Sequence, residues 1–287
     1  MGKKKDKTPP ALKVIRWVYP KLEKVIPFLA YRLFVYIFFA PLRYKPTEKE
    51  IKAESFSEKF SITAAGKRIQ CYRWGSFSKV VLVVHGWAGR ATQFRRFIKP
   101  LLQAGYAVVG FDGPAHGKSE GRSTDIREYE VVLKTLFEQH GTPDAVITHS
   151  FGGAAVIVAA AHGLPVKKLI NIASPTIGDE IIDTYLRAIN GSEKTKQFFK
   201  KHVVQKTGKP FDAFTASYKI KEVKQPMELL LVHDEDDRDV SMNHPLAIQK
   251  AYPKAELLRT TGLGHTRILK DNEVIRQIVT FIKRPSS

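Results

Sequence analysis

The spacing of apolar positions changes from one stretch of this chain to the next, and the changes mark out its elements. Val80-Val-Leu-Val-Val84 is apolar with no polar alternation, the pattern of a parallel strand covered on both faces. Runs of the same kind recur at residues 106–112, 144–148 and 168–173. Between them, residues 93–103 and 125–140 carry the three-to-four spacing of a helix, and the small-residue run after Gly153 suits a tightly packed one. Strand and helix alternating this regularly predict an α/β fold: a mostly parallel sheet joined by right-handed crossovers and flanked by helices.

The flanks of this region complete the picture. Within residues 52–74, the alternation of Phe60-Ser-Ile62-Thr and of Arg68 to Trp74, broken at Ala65-Gly66-Lys67, predicts a hairpin leading into the sheet. Residues 228–233 and 255–260 read as the last strands, and 272–283 as a closing amphipathic helix capped by Asp271. Between about 175 and 226 the succession pauses, with helical pattern at 180–189 and 193–205 and many lysines. An excursion at that point is expected to lie over the sheet's carboxyl edge as a small helical cap, the alternative being a surface helical pair with no part in binding. The expected division is a helical N-terminal segment at 1–50 and an α/β domain at 51–287 with the cap inserted in it.

The first fifty residues follow a different pattern. Lys3, Lys4, Lys5 and Lys7 precede an amphipathic stretch at 11–24 and an apolar run at 25–42, interrupted by Pro27, Arg32 and Pro41. As a helix that run would be roughly 27 Å long, just short of a bilayer core, and Arg32 near its centre would cost about 2.5–3.5 kcal/mol on insertion. A cleaved signal peptide fits poorly, because the run is rich in Phe and Tyr and no small-residue cleavage site follows it cleanly. Three readings stand: a marginal span; a helix lying in the interface with Tyr31 and Tyr36 at headgroup level; or a helix whose Phe28, Phe34, Phe38 and Phe39 pack on the α/β body. The expected location is accordingly membrane-associated or cytoplasmic.

Composition narrows the choices. Of 287 residues 43% are hydrophobic, enough for a sizeable core, and the single cysteine, Cys71, excludes an intramolecular disulfide or a cysteine-rich metal site. A formal charge of +19 predicts attraction to polyanions. No zinc-finger spacing, RNP-like motif or Walker loop accompanies it, which disfavours nucleic acid and leaves an anionic membrane surface or simple solubility.

The chemistry gathers at predicted strand ends. Thr148-His-Ser-Phe-Gly152 turns a strand into a helix within a few residues, which would hold Ser150 out at the strand's carboxyl end, where open α/β sheets do their chemistry. Serine needs a base, and His265 in Gly264-His265 follows the last strand. A carboxylate must orient that histidine, and Asp237 follows the penultimate strand in the acidic run Asp234, Glu235, Asp236, Asp237, Asp239; its offsets from His233 and Val240 favour it over its neighbours. A calcium loop is the competing reading of this run, but the glycine and terminal glutamate of an EF-hand are missing. Val84-His-Gly-Trp-Ala-Gly89 follows the first parallel strand, so the backbone amides of Trp87 and Phe151 are the candidate oxyanion donors. Asp112 and His116 are expected to brace their loop, His149 to pack beneath the turn, and Arg90 either to meet an anionic substrate or to stay solvated.

Together, His85-Gly-Trp-Ala-Gly89, Phe111 to Ser119, His149-Ser-Phe-Gly-Gly153, Asp237-x-x-Val240 and Gly264-His265 resemble the α/β-hydrolase fold in its esterase and lipase-like branches, over roughly residues 52–283. One departure is Thr148, where the nucleophile elbow Gly-x-Ser-x-Gly has glycine; it suggests a slightly more open turn. The resemblance implies a serine hydrolase acting through an acyl-enzyme and by itself gives no substrate. The expected reaction is cleavage of a carboxylic ester, ahead of an amide, of an apolar acyl group with no metal or organic cofactor, and the basic cap and candidate membrane helix point to a lipid-derived or amphiphilic ester. An acyltransferase using the same triad, and a non-catalytic binding protein of the same fold, are the alternatives.

Overall fold

The structure is a computed structural model and describes residues 10–285. In chain order it comprises α1 (Pro10–Val25), α2 (Pro27–Phe39), α3 (Glu48–Ser55), β1 (Glu58–Ala64), β2 (Lys67–Trp74), β3 (Val80–Val84), α4 (Arg95–Gln103), β4 (Ala107–Phe111), α5 (Ile126–His140), β5 (Ala145–His149), α6 (Phe151–Ala161), β6 (Lys168–Ile172), α7 (Gly178–Ile189), α8 (Glu193–Thr207), α9 (Ala216–Lys219), β7 (Glu228–Asp234), α10 (Asn243–Ala251), β8 (Glu256–Thr260), α11 (Gly264–Arg267) and α12 (Asn272–Lys283). Two compact units result: one combines the segment ending at Phe39 with Gly178–Ala213, the other Ala40–Ile177 with the segment from Phe214 onward.

In the second unit, eight strands form one sheet in the order β1-β2-β4-β3-β5-β6-β7-β8. β1, β2 and β4 pair antiparallel in turn, and all pairs from β4 to β8 are parallel. The unalternating apolar runs are explained by the two faces. Leu82 and Val84 of β3, with Val146 and Leu169, pack toward Val132, Leu133, Val156 and Ile157 of α5 and α6. Val81 and Val83, with Ile147 and Ile170, pack toward Phe97 and Leu101 of α4 and Ile278 and Phe281 of α12 on the other side. Each such aliphatic side chain, removed from water, contributes about 1.5–3 kcal/mol.

Helix starts follow local chemistry. The Asp125 carboxylate accepts the N–H groups of Arg127 and Glu128 at the head of α5, and Asp271 accepts those of Glu273 and Val274 at the head of α12, the cap expected from the sequence. The hairpin is confined to residues 58–74. The residues just before it form α3, whose Thr47/Glu50 capping box is the sequence signal for that helix. The sheet grows outward in both directions from β3, so the loops after β3 and β5 flank the point where strand order reverses. Ligands of open α/β sheets bind at such a point.

In the first unit, α1 and α2 share a core with α7 and α8. Phe34 meets the Phe199 ring edge-on at 5.4 Å, and Phe38 lies 4.4 Å from Phe199 and 4.5 Å from Tyr185. Phe39 also lies beside Phe199. Tyr31 stacks on Phe198, whereas Phe28 is 64% exposed. The apolar run at 25–42 is divided at Ile26, because Pro27 brings no N–H and disfavours helical geometry in the residue before it. Among the described residues no helix is long and apolar enough to cross a membrane.

Candidate active site

Ser150 sits between β5 and α6 at φ 51°, ψ −126°, a backbone conformation that costs a non-glycine residue about 1–3 kcal/mol and persists only when its surroundings impose it. Its N–H donates to Ile172 O at 2.9 Å, and its carbonyl accepts the Gly153 N–H at 2.9 Å. Two missing side chains let the neighbouring loop press against this turn. A Cβ on Gly152 would stand 2.5 Å from Val84 O and 2.6 Å from His85 O, and one on Gly86 would stand 2.7 Å from the Ser150 Cβ. Thr148, where the elbow pattern has glycine, is fully buried, and its hydroxyl donates to Ile170 O at 3.1 Å.

The loop after β3 approaches the elbow from the adjacent strand. The Trp87 ring lies 5.2 Å from that of Phe151, edge to face, bringing the two residues whose amides are the oxyanion candidates to one place. The loop's shape is held from β4. The Ala88 N–H donates to His116 Nε2 at 3.0 Å, the Gly113 N–H to His85 Nε2 at 2.8 Å, and the Ala91 N–H to Asp112 Oδ1 at 3.0 Å. Both rings must accept on Nε2 and carry their proton on Nδ1, which donates to Pro114 O in His116 and to Gly86 O in His85. Burial keeps them neutral, pulling the His85 pKa down to about 4 and that of His116 to about 3, the latter aided by the neighbouring His85. Arg90 donates to Tyr44 O.

After β7, the Asp237 side chain is fully buried, with Oδ1 accepting the Asp239 and Val240 N–H groups at 2.9 and 3.0 Å. Its Oδ2 lies 2.8 Å from His265 Nδ1. A carboxylate only accepts, so Nδ1 carries the proton and Nε2 is left as the basic nitrogen. Burial raises the Asp237 pKa, but the His265 bond and charge and the two backbone donors outweigh it, and the carboxyl stays below its ordinary range.

The acidic run separates into roles that spacing could not assign. Asp234 Oδ1 accepts the Gly264 and Asp236 N–H groups at 2.8 and 3.0 Å, while Oδ2 accepts the Leu263 N–H at 3.0 Å and the Thr260 hydroxyl at 2.7 Å. Asp236 takes the Gly262 N–H at 2.9 Å. The loop carrying His265 is therefore tied to the loop carrying Asp237 by the carboxylates on either side of Glu235. The donor atoms of Asp237, Asp239 and His265 lie within 4.8 Å of one another, but Asp237 and His265 are already each other's partners, so a cation there would have to break that pair.

His149 also does more than pack beneath the turn. Its Nε2 donates to the backbone carbonyl of His265 at 2.9 Å, with the two rings 4.8 Å apart, so the residue preceding Ser150 is bonded directly to His265. Burial, reinforced by the nearby His265, pulls its pKa down to about 3.

Comparison with known proteins agrees with this architecture. Residues 79–219 match the family described as alpha/beta hydrolase fold. A probable serine hydrolase of Drosophila melanogaster is 26% identical over 187 residues, 62% of this chain and 50% of that protein. The monoglyceride lipase of Homo sapiens is 26% identical over 113 residues, 35% of this chain and 37% of the lipase. The matched stretch thus spans half or less of these relatives' length. An esterase of Pyrococcus furiosus superposes with a TM-score of 0.63 at 22% identity, covering 86% of this chain and 97% of the esterase. The sheet order, the strand-to-helix turn at Ser150 and the match over residues 79–219 lead to one conclusion: the chain has the α/β-hydrolase fold.

Proposed function

We propose that the protein is a serine hydrolase that cleaves a carboxylic ester of an apolar acyl group through an acyl-enzyme. The observation that carries this reading is the bond from His149 to the His265 carbonyl, because it ties the histidine partnered by Asp237 to the residue next to Ser150. In the proposed reaction His265 Nε2 takes the Ser150 proton as the hydroxyl oxygen attacks the ester carbonyl. The Trp87 and Phe151 amides hold the oxyanion; one such donor contributes about 2.7–4 kcal/mol in the transition state. Asp237 stabilises the imidazolium. The proton then passes to the departing alcohol, and a water activated by the same imidazole releases the acid.

A lipid-derived ester is the favoured substrate class, in keeping with the similarity to a monoglyceride lipase over 35% of the chain. The test is a chain-length series of p-nitrophenyl esters on the wild type and Ser150→Ala, with products analysed in the presence of competing alcohols. Hydrolysis that rises from short to medium acyl chains and is lost in Ser150→Ala supports the reading. Equal turnover by both proteins would overturn it, and preferential formation of a new ester would replace hydrolysis by acyl transfer.

A further inference from the structure

Helices α1 and α2 bury one face and leave the other open. On the buried face the Tyr19 hydroxyl bonds Thr195 Oγ1 at 2.9 Å, and Glu23 accepts hydrogen bonds from Ser192 and Thr195. Ala30 and Phe34 beside them are fully buried. The opposite face is apolar as well. Trp17 is 66% exposed, Val25 78%, Phe28 64% and Leu29 50%, with Val14 at one end of the row and Tyr36 at the other.

These positions form one stripe. The break at Ile26 does not change the helical phase, since the Ile26 N–H still donates to Leu22 O and the Ala30 N–H to Ile26 O. Positions 14, 17, 21, 25, 28, 32 and 36 therefore recur at helical spacing across both helices. The polar members are cations that lie against the aromatic ones: Lys21 Nζ is 3.2 Å from the centre of the Trp17 ring, and the Arg32 guanidinium 5.6 Å from that of Phe28. Glu23 is the only acidic residue from Pro10 to Thr47, and it belongs to the buried face.

We propose that this stripe is a docking surface for an anionic lipid bilayer, with the helices lying in the plane of the interface. Trp17, Val25, Phe28 and Leu29 enter the acyl boundary, and Lys21 and Arg32 meet lipid phosphates. A crossing orientation is incompatible with the polar bonds that hold the other face to α8. A second protein molecule is a poorer occupant. The stripe is about 33 Å long and one helix, about 10 Å, wide, so it offers roughly 300 Å², against about 800 Å² per partner in a stable protein interface. A bilayer needs no matching contour, and the uniform sign of the stripe suits a negatively charged one.

Flotation of the full chain with vesicles tests this independently of the ester chemistry. The protein should float with phosphatidylcholine vesicles containing phosphatidylglycerol, and much less with phosphatidylcholine alone or at raised ionic strength. Trp17→Ser/Phe28→Ser should weaken partitioning at least tenfold, and Lys21→Glu/Arg32→Glu should abolish the preference for anionic lipid. Both should keep wild-type thermal stability and turnover of a water-soluble ester, since the altered side chains stand in solvent. Wild-type protein that fails to float with anionic vesicles, or a Trp17→Ser/Phe28→Ser variant that floats as well as wild type, would overturn the proposal. So would a stable dimer in the absence of lipid that these substitutions dissociate. Ser150→Ala should bind vesicles like the wild type, so loss of the catalytic reading would leave this result standing.

Discussion

Removing Asp234 should disable the histidine loop without touching either member of the Asp237–His265 pair. Its carboxylate receives four hydrogen bonds, three from backbone N–H groups and one from the Thr260 hydroxyl. Two of the donors, Leu263 and Gly264, immediately precede His265. A hydrogen bond to a charged acceptor contributes about 1.5–3 kcal/mol, so these two alone hold the loop with about 3–6 kcal/mol, less whatever water restores once the carboxylate is gone. The charge they require is maintained. Burial raises the Asp234 pKa, but the Gly264, Thr260, Leu263 and Asp236 donors outweigh that, and the carboxyl stays ionised below the ordinary range. Asp234→Ala should therefore lower kcat for a p-nitrophenyl ester by about a hundredfold, the scale of effect when a reacting group moves by about 1 Å. Thermal stability should fall with it. Asp236→Ala is the control, because it loses a single exposed contact to the Gly262 N–H and should cost only about 0.5–1.5 kcal/mol. Measured side by side, Asp234→Ala with wild-type kcat and stability, or an Asp236→Ala defect as large, would show that the loop is held by something else.

Three further outcomes follow from the same geometry. Gly152→Ala should force the elbow away from Val84 O and His85 O, which are backbone atoms that cannot swing aside, with a loss of about 1–3 kcal/mol by denaturant titration and at least tenfold in kcat; unchanged kinetics would contradict the tight turn. His149→Ala should reduce kcat about two- to tenfold with KM little changed, as one neutral bond to the His265 carbonyl is lost; a KM effect alone would show that it does not position His265. His85, His116 and His149 have folded pKa values of about 4, 3 and 3 against an ordinary 6.5, so the unfolded chain binds more protons below pH 6.5. Their contribution is complete above that pH and is lost as the pH falls toward 4, at up to about 4 kcal/mol per pH unit for the three together. A urea midpoint that stays constant on acidification through this window would contradict their burial as neutral rings.

Where a single physical rule governs a segment, the fold was legible in the sequence. Val80–Val84 reads as a doubly covered strand because both faces of β3 are packed, and the same holds for β4, β5 and β6. The turn at Ser150 was legible because a strand must become a helix within a few residues. Asp237 could be favoured by its offset, and its carboxylate lies 2.8 Å from His265 Nδ1. Its neighbour Asp234 could not, since two carboxylates three residues apart in one loop look alike until the loop's path decides which faces the histidine segment. The bond from His149 to His265 spans 116 positions and likewise has no sequence signature. Nor does the core that α1 and α2 share with α7 and α8. Phe28, Phe34 and Phe38 are identical in chemistry, and only the direction of each around its helix separates the exposed one from the two buried against the partner helices.

The proposed chemistry stands or falls on Ser150 being an activated nucleophile, which can be read by mapping the adduct of a fluorophosphonate probe with peptide mass spectrometry. One adduct per chain is expected, on Ser150, absent in Ser150→Ala and formed far more slowly in His265→Ala and Asp237→Asn. A folded wild-type protein that takes up no probe, or one labelled at another residue with Ser150 unmodified, would contradict it.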